Sequence, residues 1–278
     1  MSQLAAQTLL DTATVTLKAV VCRGEHRHQS AEEFSRATHL VFPYRGVYVR
    51  HLGSHEVVAE ANQVLFFNGG EGYRVSHPVA GGDASLSLWI SAPLLDELAP
   101  KDQLREGPLP AFKRPRLRID PRAQALVALL RHGLHGGIMD TLEAEALVLT
   151  LVRRSLGERT SHAPGASPGR QKLVDRAKLV LSGDPARRWT LAEIAAEVGV
   201  SPVYLTQAFQ QVEGTPLYRY QLRLRLVRAL DLLARFDNLT TLALTLGFSS
   251  HSHFSAAFRK AYGRTPAEFQ RSLGLRRP

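Results

Sequence analysis

Between residues 14 and 92, apolar and polar side chains alternate with a period of two. Val15, Leu17 and Ala19 interleave with Thr14, Thr16 and Lys18, and Leu86, Leu88 and Ile90 with Ser85, Ser87 and Trp89. The pattern predicts short strands with one buried face. Pro43, Gly46, Gly53, Asn68-Gly69-Gly70, Pro78 and Gly81-Gly82-Asp83 separate them, and many closely spaced short strands predict a sandwich or barrel. Helical periodicity then takes over. Pro121 opens one helix that runs to His132, and Asp140 opens another that runs to Leu156. In the second, Leu142, Ala146, Leu149 and Val152/Arg153 form an apolar stripe at spacings of three and four. Across residues 157–169 the periodicity is lost, and Ser161, Pro164, Gly165, Ser167 and Pro168 predict a flexible linker.

Beyond that boundary the chain reads as seven helices, the first over about 172–181. Thr190-Leu191-Ala192-Glu193 is a capping box, in which a hydroxyl and a carboxylate satisfy free backbone donors of the first turn, and Gly199 stops that helix. Ser201-Pro202 starts the next, which ends at Gly214. Thr215-Pro216 opens a long amphipathic helix to about residue 235, with Leu222, Leu226, Ala229 and Leu233 as its stripe. A short helix near 240–246 stops at Gly247, another starts at Ser249 or Ser250 and stops at Gly263, and Thr265-Pro266-Ala267-Glu268 caps the last.

Length and charge sharpen this picture. At 278 residues and 30.7 kDa two cores are expected, and 44% hydrophobic with 22% charged residues excludes collagen-like, low-complexity and wholly disordered classes. Cys22 is the only cysteine, so no internal disulfide or multi-thiolate metal site can form, and a cytoplasmic location is expected. No stretch approaches the roughly 18 apolar residues of a membrane span, and residues 1–12 lack an export pattern, so no membrane partner is predicted. The net charge of +10, which suits nucleic acid, a membrane surface or a solvated basic face, is lopsided, +2 over residues 1–170 and +8 over 171–278, so the C-terminal part carries the excess.

Residues 191–209 and 239–258 share one design: a short helix, a glycine turn and a second helix with an N-terminal serine and an interior phenylalanine. Each fits a helix-turn-helix. Ile194, Val198, Leu205 and Phe209 fill the angle between helices in the first, and Leu242, Leu246, Phe254 and Phe258 in the second, leaving the polar positions outside. The exposed start of each second helix suits the DNA major groove.

The chain over about 171–278 closely resembles the DNA-binding domain of the AraC/XylS family of bacterial transcription regulators. The resemblance rests on Leu-Ala-Glu-Ile-Ala (191–195), Gly-Phe-Ser-Ser-His-Ser-His-Phe-Ser (247–255), Phe258-Arg259-Lys260 and Gly-Arg-Thr-Pro-Ala-Glu-Phe (263–269). It implies that the long middle helix holds two units whose recognition helices address one face of double-stranded DNA in successive major grooves. By position, it implies base contacts from Val203, Tyr204, Thr206 and Gln207, and from His251, Ser252, His253, Ser255 and Ala256. Val203 and Ala256 offer only apolar contacts, such as thymine methyls, and Gln207 suits adenine. Phosphate contacts are expected from Arg219, Arg223, Arg225, Arg259, Lys260 and Arg264, although a solvated helix face accounts for any one arginine equally well.

The strand-rich part resembles, at fold level only, the cupin-like barrel with which many members of that family bind an effector. The expected order is a cupin-like effector-binding barrel over 1–115, a helical dimerisation segment over 116–157, a linker over 158–170 and the DNA-binding domain over 171–278. The fold class is thus α+β multidomain, with an all-α C-terminal domain. Pocket residues for a small-molecule effector are drawn from Arg45, Tyr48, Phe66, Tyr73 and Trp89, each of which also fits a core or turn role. Cys22, His26 and His39, with His28, His51, His55 and His77 nearby, suggest a metal, against a buried thiol and scattered surface histidines. The Leu142 stripe serves either a dimer or packing on the chain's own barrel. No catalytic triad, phosphate loop or cofactor motif appears, and the lone cysteine argues against a DNA-repair enzyme joined to the same DNA-binding module. The sequence therefore predicts a non-enzymatic, effector-responsive and dimeric promoter-binding regulator that also contacts RNA polymerase, with an effector-independent DNA-binding protein as the rival.

Overall fold

The computed structural model describes residues 4–24, 27–157 and 167–274. Ten strands come first: β1 (Leu4–Asp11), β2 (Val15–Cys22), β3 (Glu33–Phe34), β4 (His39–Arg45), β5 (Tyr48–Leu52), β6 (His55–Ala59), β7 (Gln63–Phe67), β8 (Gly72–Ser76), β9 (Asp83–Ile90) and, after helix α1 (Ala92–Leu98), β10 (Arg116–Arg118). They form a six-stranded antiparallel sheet, β1-β2-β9-β4-β7-β10, and a four-stranded sheet, β3-β8-β5-β6. β1, β10, β3 and β6 end these ladders, so the expected barrel is not closed. β1 itself lies before the stretch where alternation is legible; most of it is exposed, so its sequence carries no buried-face signal.

Strand parity separates two apolar layers. Even positions of β9, Ala84, Leu86, Leu88 and Ile90, join Leu17, Leu40, Phe42, Val64 and Phe66 in a core covered by α1, α2 (Pro121–His135) and α3 (Thr141–Leu156). Odd positions face the space between the two sheets. α3 buries Ala144, Val148, Leu151 and Leu156 against the sheet, while Leu142 stays 77% exposed and Ala146 is exposed as well. The stripe is therefore split: Leu142 and Ala146 are uncovered, Leu149 is half-buried and Val152 is fully buried in the core. Asp120 and Asp140 cap α2 and α3 through Ala123 N–H and Glu143 N–H.

The linker expected over 158–170 lies outside the described residues as far as 166. Its last part is helical instead: Ser167 caps α4 (Pro168–Gly183), with proline at the first turn where its missing N–H costs nothing. α5 (Leu191–Val198), α6 (Pro202–Glu213), α7 (Leu217–Leu232), α8 (Leu239–Thr245), α9 (His251–Tyr262) and α10 (Pro266–Ser272) follow, with capping boxes at Thr190 and Thr265. Among the described residues no helix is long and apolar enough to cross a membrane.

Candidate nucleic-acid interface

α7 is the shared scaffold. Its first half, Leu217, Tyr220 and Leu224, packs with Ile194, Val198, Leu205, Phe209 and the α4 residues Leu173, Val174 and Leu181. Its second half, Leu226, Ala229 and Leu230, packs with Leu242, Leu246, Phe248, Phe254, Phe258 and Phe269. Two helix-turn-helix units thus hang from one rigid rod. The two turns differ in how much they demand of their glycine. Gly199 sits at φ +73° with open space where a Cβ would stand; Gly247, at φ +80°, packs so tightly that a Cβ would lie 2.0 Å from the Ala186 carbonyl oxygen.

Burial of the apolar positions leaves the recognition faces outside. Val203 (68% exposed), Tyr204, Thr206 and Gln207 of α6 all face solvent, as do His251, Ser252, His253 and Ala256 of α9, with Ser255 half-buried. Ser201 and Ser250 cap the two helices by accepting from Tyr204 and His253 N–H. Ser249 Oγ lies 3.2 Å from His253 Nδ1 and Ser255 Oγ 3.3 Å from His251 Nε2, so both rings are oriented before any ligand arrives. Val203, exposed near the start of α6, offers only an apolar surface there.

Arg219, Arg259, Lys260 and Arg264 are exposed and Arg223 half-exposed, and none of them forms an ion pair among the described residues. Arg225 is different and corrects the expectation. Its guanidinium donates to the carbonyls of Pro185 (3.0 Å), Arg187 (2.9 Å) and Gly247 (3.3 Å), tying the loop before α5 to the turn of the second unit. A donor set so committed has little left for a phosphate.

Between the two sheets lies a cavity of about 790 Å³. Tyr48, Tyr73 and Trp89 line it together with Phe67, Lys18, His39 and Asp83. Arg45 and Phe66 do not. Parity sends Phe66 into the helix-covered core, where its ring lies 3.8 Å from that of Phe112, and Phe67 takes the cavity side. Arg45 instead lies 3.9 Å from the Asp231 carboxylate on α7. Of the metal candidates, His26 lies outside the described residues. His39 stacks on Trp89 (4.4 Å) and Phe67 (5.1 Å), and burial pushes its pKa down to about 4. Cys22 keeps company with His77 and Asp83 rather than with His39. The register shows why: Cys22 pairs directly with Asp83 across β2 and β9, a neighbour that linear spacing does not reveal.

Sequence reasoning also missed a buried charge cluster where the sheets meet the helices. Lys178 of α4 is wholly buried, with Nζ 2.6 Å from Glu213 of α6 and 3.9 Å from Glu60 beside β6. Arg118 of β10 pairs with Glu213 at 3.1 Å and donates to the Val212 and Glu213 carbonyls. Burial pushes the Glu60 carboxyl up; it would do the same to Glu213, but Lys178, Arg118 and Arg116 hold Glu213 below its usual value. A lysine on the apolar face of α4, four residues after Val174, was the available signal. Farther along, Asp231 of α7 meets Arg131 of α2 at 3.2 Å.

Comparison with known proteins agrees with this geometry. Residues 194–272 match a helix-turn-helix domain family. An AraC-like transcription regulator of Streptomyces antibioticus is 28% identical over 201 residues, 69% of this chain and 62% of that protein. The transcriptional regulator GadX of Escherichia coli is 35% identical over 96 residues, 34% of this chain and 35% of GadX. The matches thus span less than two thirds of either relative. A crystal structure of a transcriptional regulator with an AraC-type DNA-binding domain from Chromobacterium violaceum is 32% identical, covering 38% of this chain and 96% of that one, with a TM-score of 0.37.

Proposed function

For a chain that belongs to the AraC/XylS family of DNA-binding transcription regulators, we propose that both recognition helices read bases of promoter DNA, under control of a small molecule bound between the N-terminal sheets. The observation that carries this reading is the pair of exposed, pre-capped helix starts on one scaffold helix. Val203, Tyr204, Thr206, Gln207, His251, Ser252, His253, Ser255 and Ala256 supply base contacts. Arg219, Arg223, Arg259, Lys260 and Arg264 hold the phosphates, which makes affinity salt-dependent.

The cavity supports effector control over a role in which the N-terminal region only dimerises, because such a role calls for a filled interior. The exposed Leu142 and Ala146 on α3 support a homodimer that pairs two half-sites. Effector binding then shifts the balance between arrangements of the two DNA-binding domains, with consequences for RNA polymerase contact in the cytoplasm. Selection of genomic fragments by the purified full-length protein tests the reading. It expects enrichment of promoter fragments sharing paired half-sites, and enrichment no better than random DNA, with and without added cell metabolites, overturns it.

A further inference from the structure

The Cys22, His77 and Asp83 side chains converge on one point in the cavity wall. Each offers one ligand atom, and all three atoms lie within 4.8 Å of one another. Cys22 closes β2, Asp83 opens β9 as its direct partner, and His77 follows the last residue of β8, so both sheets contribute. The backbone there is held by a close approach only glycine permits. At Gly82, φ +66°, a Cβ would lie 2.3 Å from the Cys22 carbonyl oxygen.

The three groups satisfy one another only in part. His77 Nε2 stands at ion-pair distance from Asp83 Oδ2, 2.9 Å, but no hydrogen bond reaches this oxygen, on a side chain only 9% exposed. A buried carboxylate oxygen without a hydrogen bond is costly, and a cation at the point the three share offsets that cost. The Gly24 N–H donates to Cys22 Sγ at 3.4 Å, the contact a thiolate ligand receives from its backbone.

We propose that Cys22, His77 and Asp83 bind a borderline divalent cation of the Zn²⁺ type, leaving the remaining coordination positions to water or to a donor atom of a small molecule in the cavity. One sulfur, one imidazole nitrogen and one carboxylate oxygen is a donor set such ions accept. Around a tetrahedral ion these atoms stand roughly 3.4–3.6 Å apart, given metal–ligand bonds of about 2.0–2.3 Å. The His77–Asp83 pair must open by some tenths of an ångström and Cys22 must close by about 1.4 Å at most, a shift within reach of side-chain rotation. Binding at this site does not depend on the regulatory reading above, so each can fail without the other.

The test exploits the single cysteine. Metal-free, full-length protein is titrated with Co²⁺, and the expected result is one equivalent bound with a thiolate-to-cobalt charge-transfer band in the near ultraviolet, bleached by Zn²⁺. Cys22→Ser abolishes the band, His77→Ala and Asp83→Asn weaken binding at least ~10-fold, and His55→Ala, an exposed histidine, changes neither. A second readout needs no variant: saturating Zn²⁺ slows alkylation of the wild-type thiol at least ~10-fold, and a chelator restores the rate. Cobalt binding without the charge-transfer band, or an alkylation rate indifferent to Zn²⁺, overturns the proposal.

Discussion

At the residue scale, exposure and prior commitment decide what each side chain is free to do. Gln207 and His251 point outward from capped helix starts, so Gln207→Ala and His251→Ala are expected to relax sequence preference, each costing about 1–3 kcal/mol on the preferred site and little on random DNA. Arg259→Ala is expected to weaken binding to all sequences alike and to lower the slope of affinity against salt by about one. Arg225→Ala should behave differently again, lowering the unfolding midpoint and leaving the salt slope in place, because its donors serve backbone carbonyls. Salt-titrated binding of all three classes, beside thermal unfolding, separates these roles; a uniform loss on specific and random DNA by every variant contradicts them.

A buried and a half-buried histidine give the pH dependence. Burial pushes both His39 and His132 down to about 4, against about 6.5 in an unfolded chain. Between those values the unfolded state binds protons that the fold refuses. Their contribution to stability is therefore complete above about pH 6.5 and lost as pH falls toward 4, by up to about 3 kcal/mol per ring. Denaturant unfolding across that range should show the loss, and His39→Gln should flatten its share of it.

At the scale of elements, the caps and glycine stops of the C-terminal helices were legible because each is a local device with its own chemistry. Gly247 and Gly199 look alike in sequence; the structure separates them. Gly247→Ala places a Cβ against the Ala186 carbonyl and should cost about 3 kcal/mol or more, whereas Gly199→Ala meets open space and should cost about 1–2 kcal/mol for its left-handed backbone alone. Equal losses in calorimetry would contradict the packing. The N-terminal strands were legible as strands but not as sides. β4 and β7 are buried on both faces, so alternation gives no parity there, and Phe67 rather than Phe66 faces the cavity. In α3 the stripe read from spacing runs from exposed Leu142 and Ala146 to buried Val152, because the helix carries apolar residues on more than one face.

At the scale of the whole molecule, what could not be read from the sequence is what joins the sheets to the helices. Pairings such as Arg118 with Glu213 or Arg131 with Asp231 span about a hundred residues and leave no local trace. Lys178 is the centre of the larger cluster, and Lys178→Met leaves Glu60 buried without its ion-pair partner and Glu213 with Arg118 alone. Breaking a buried pair on one side typically costs about 3–5 kcal/mol, and pairing the change with Glu213→Gln should recover part of it in chemical denaturation. Because Glu213 ends α6, the same contacts tie the N-terminal sheets to the end of that helix.

The most direct test of a double-reading domain is hydroxyl-radical footprinting of the full-length protein on its best selected fragment at defined salt. Two recognition helices on one scaffold predict protection at two successive major grooves per half-site, with Gln207→Ala and His251→Ala each altering base preference in a different groove. Protection of a single groove per half-site, or both variants acting on the same one, contradicts the account.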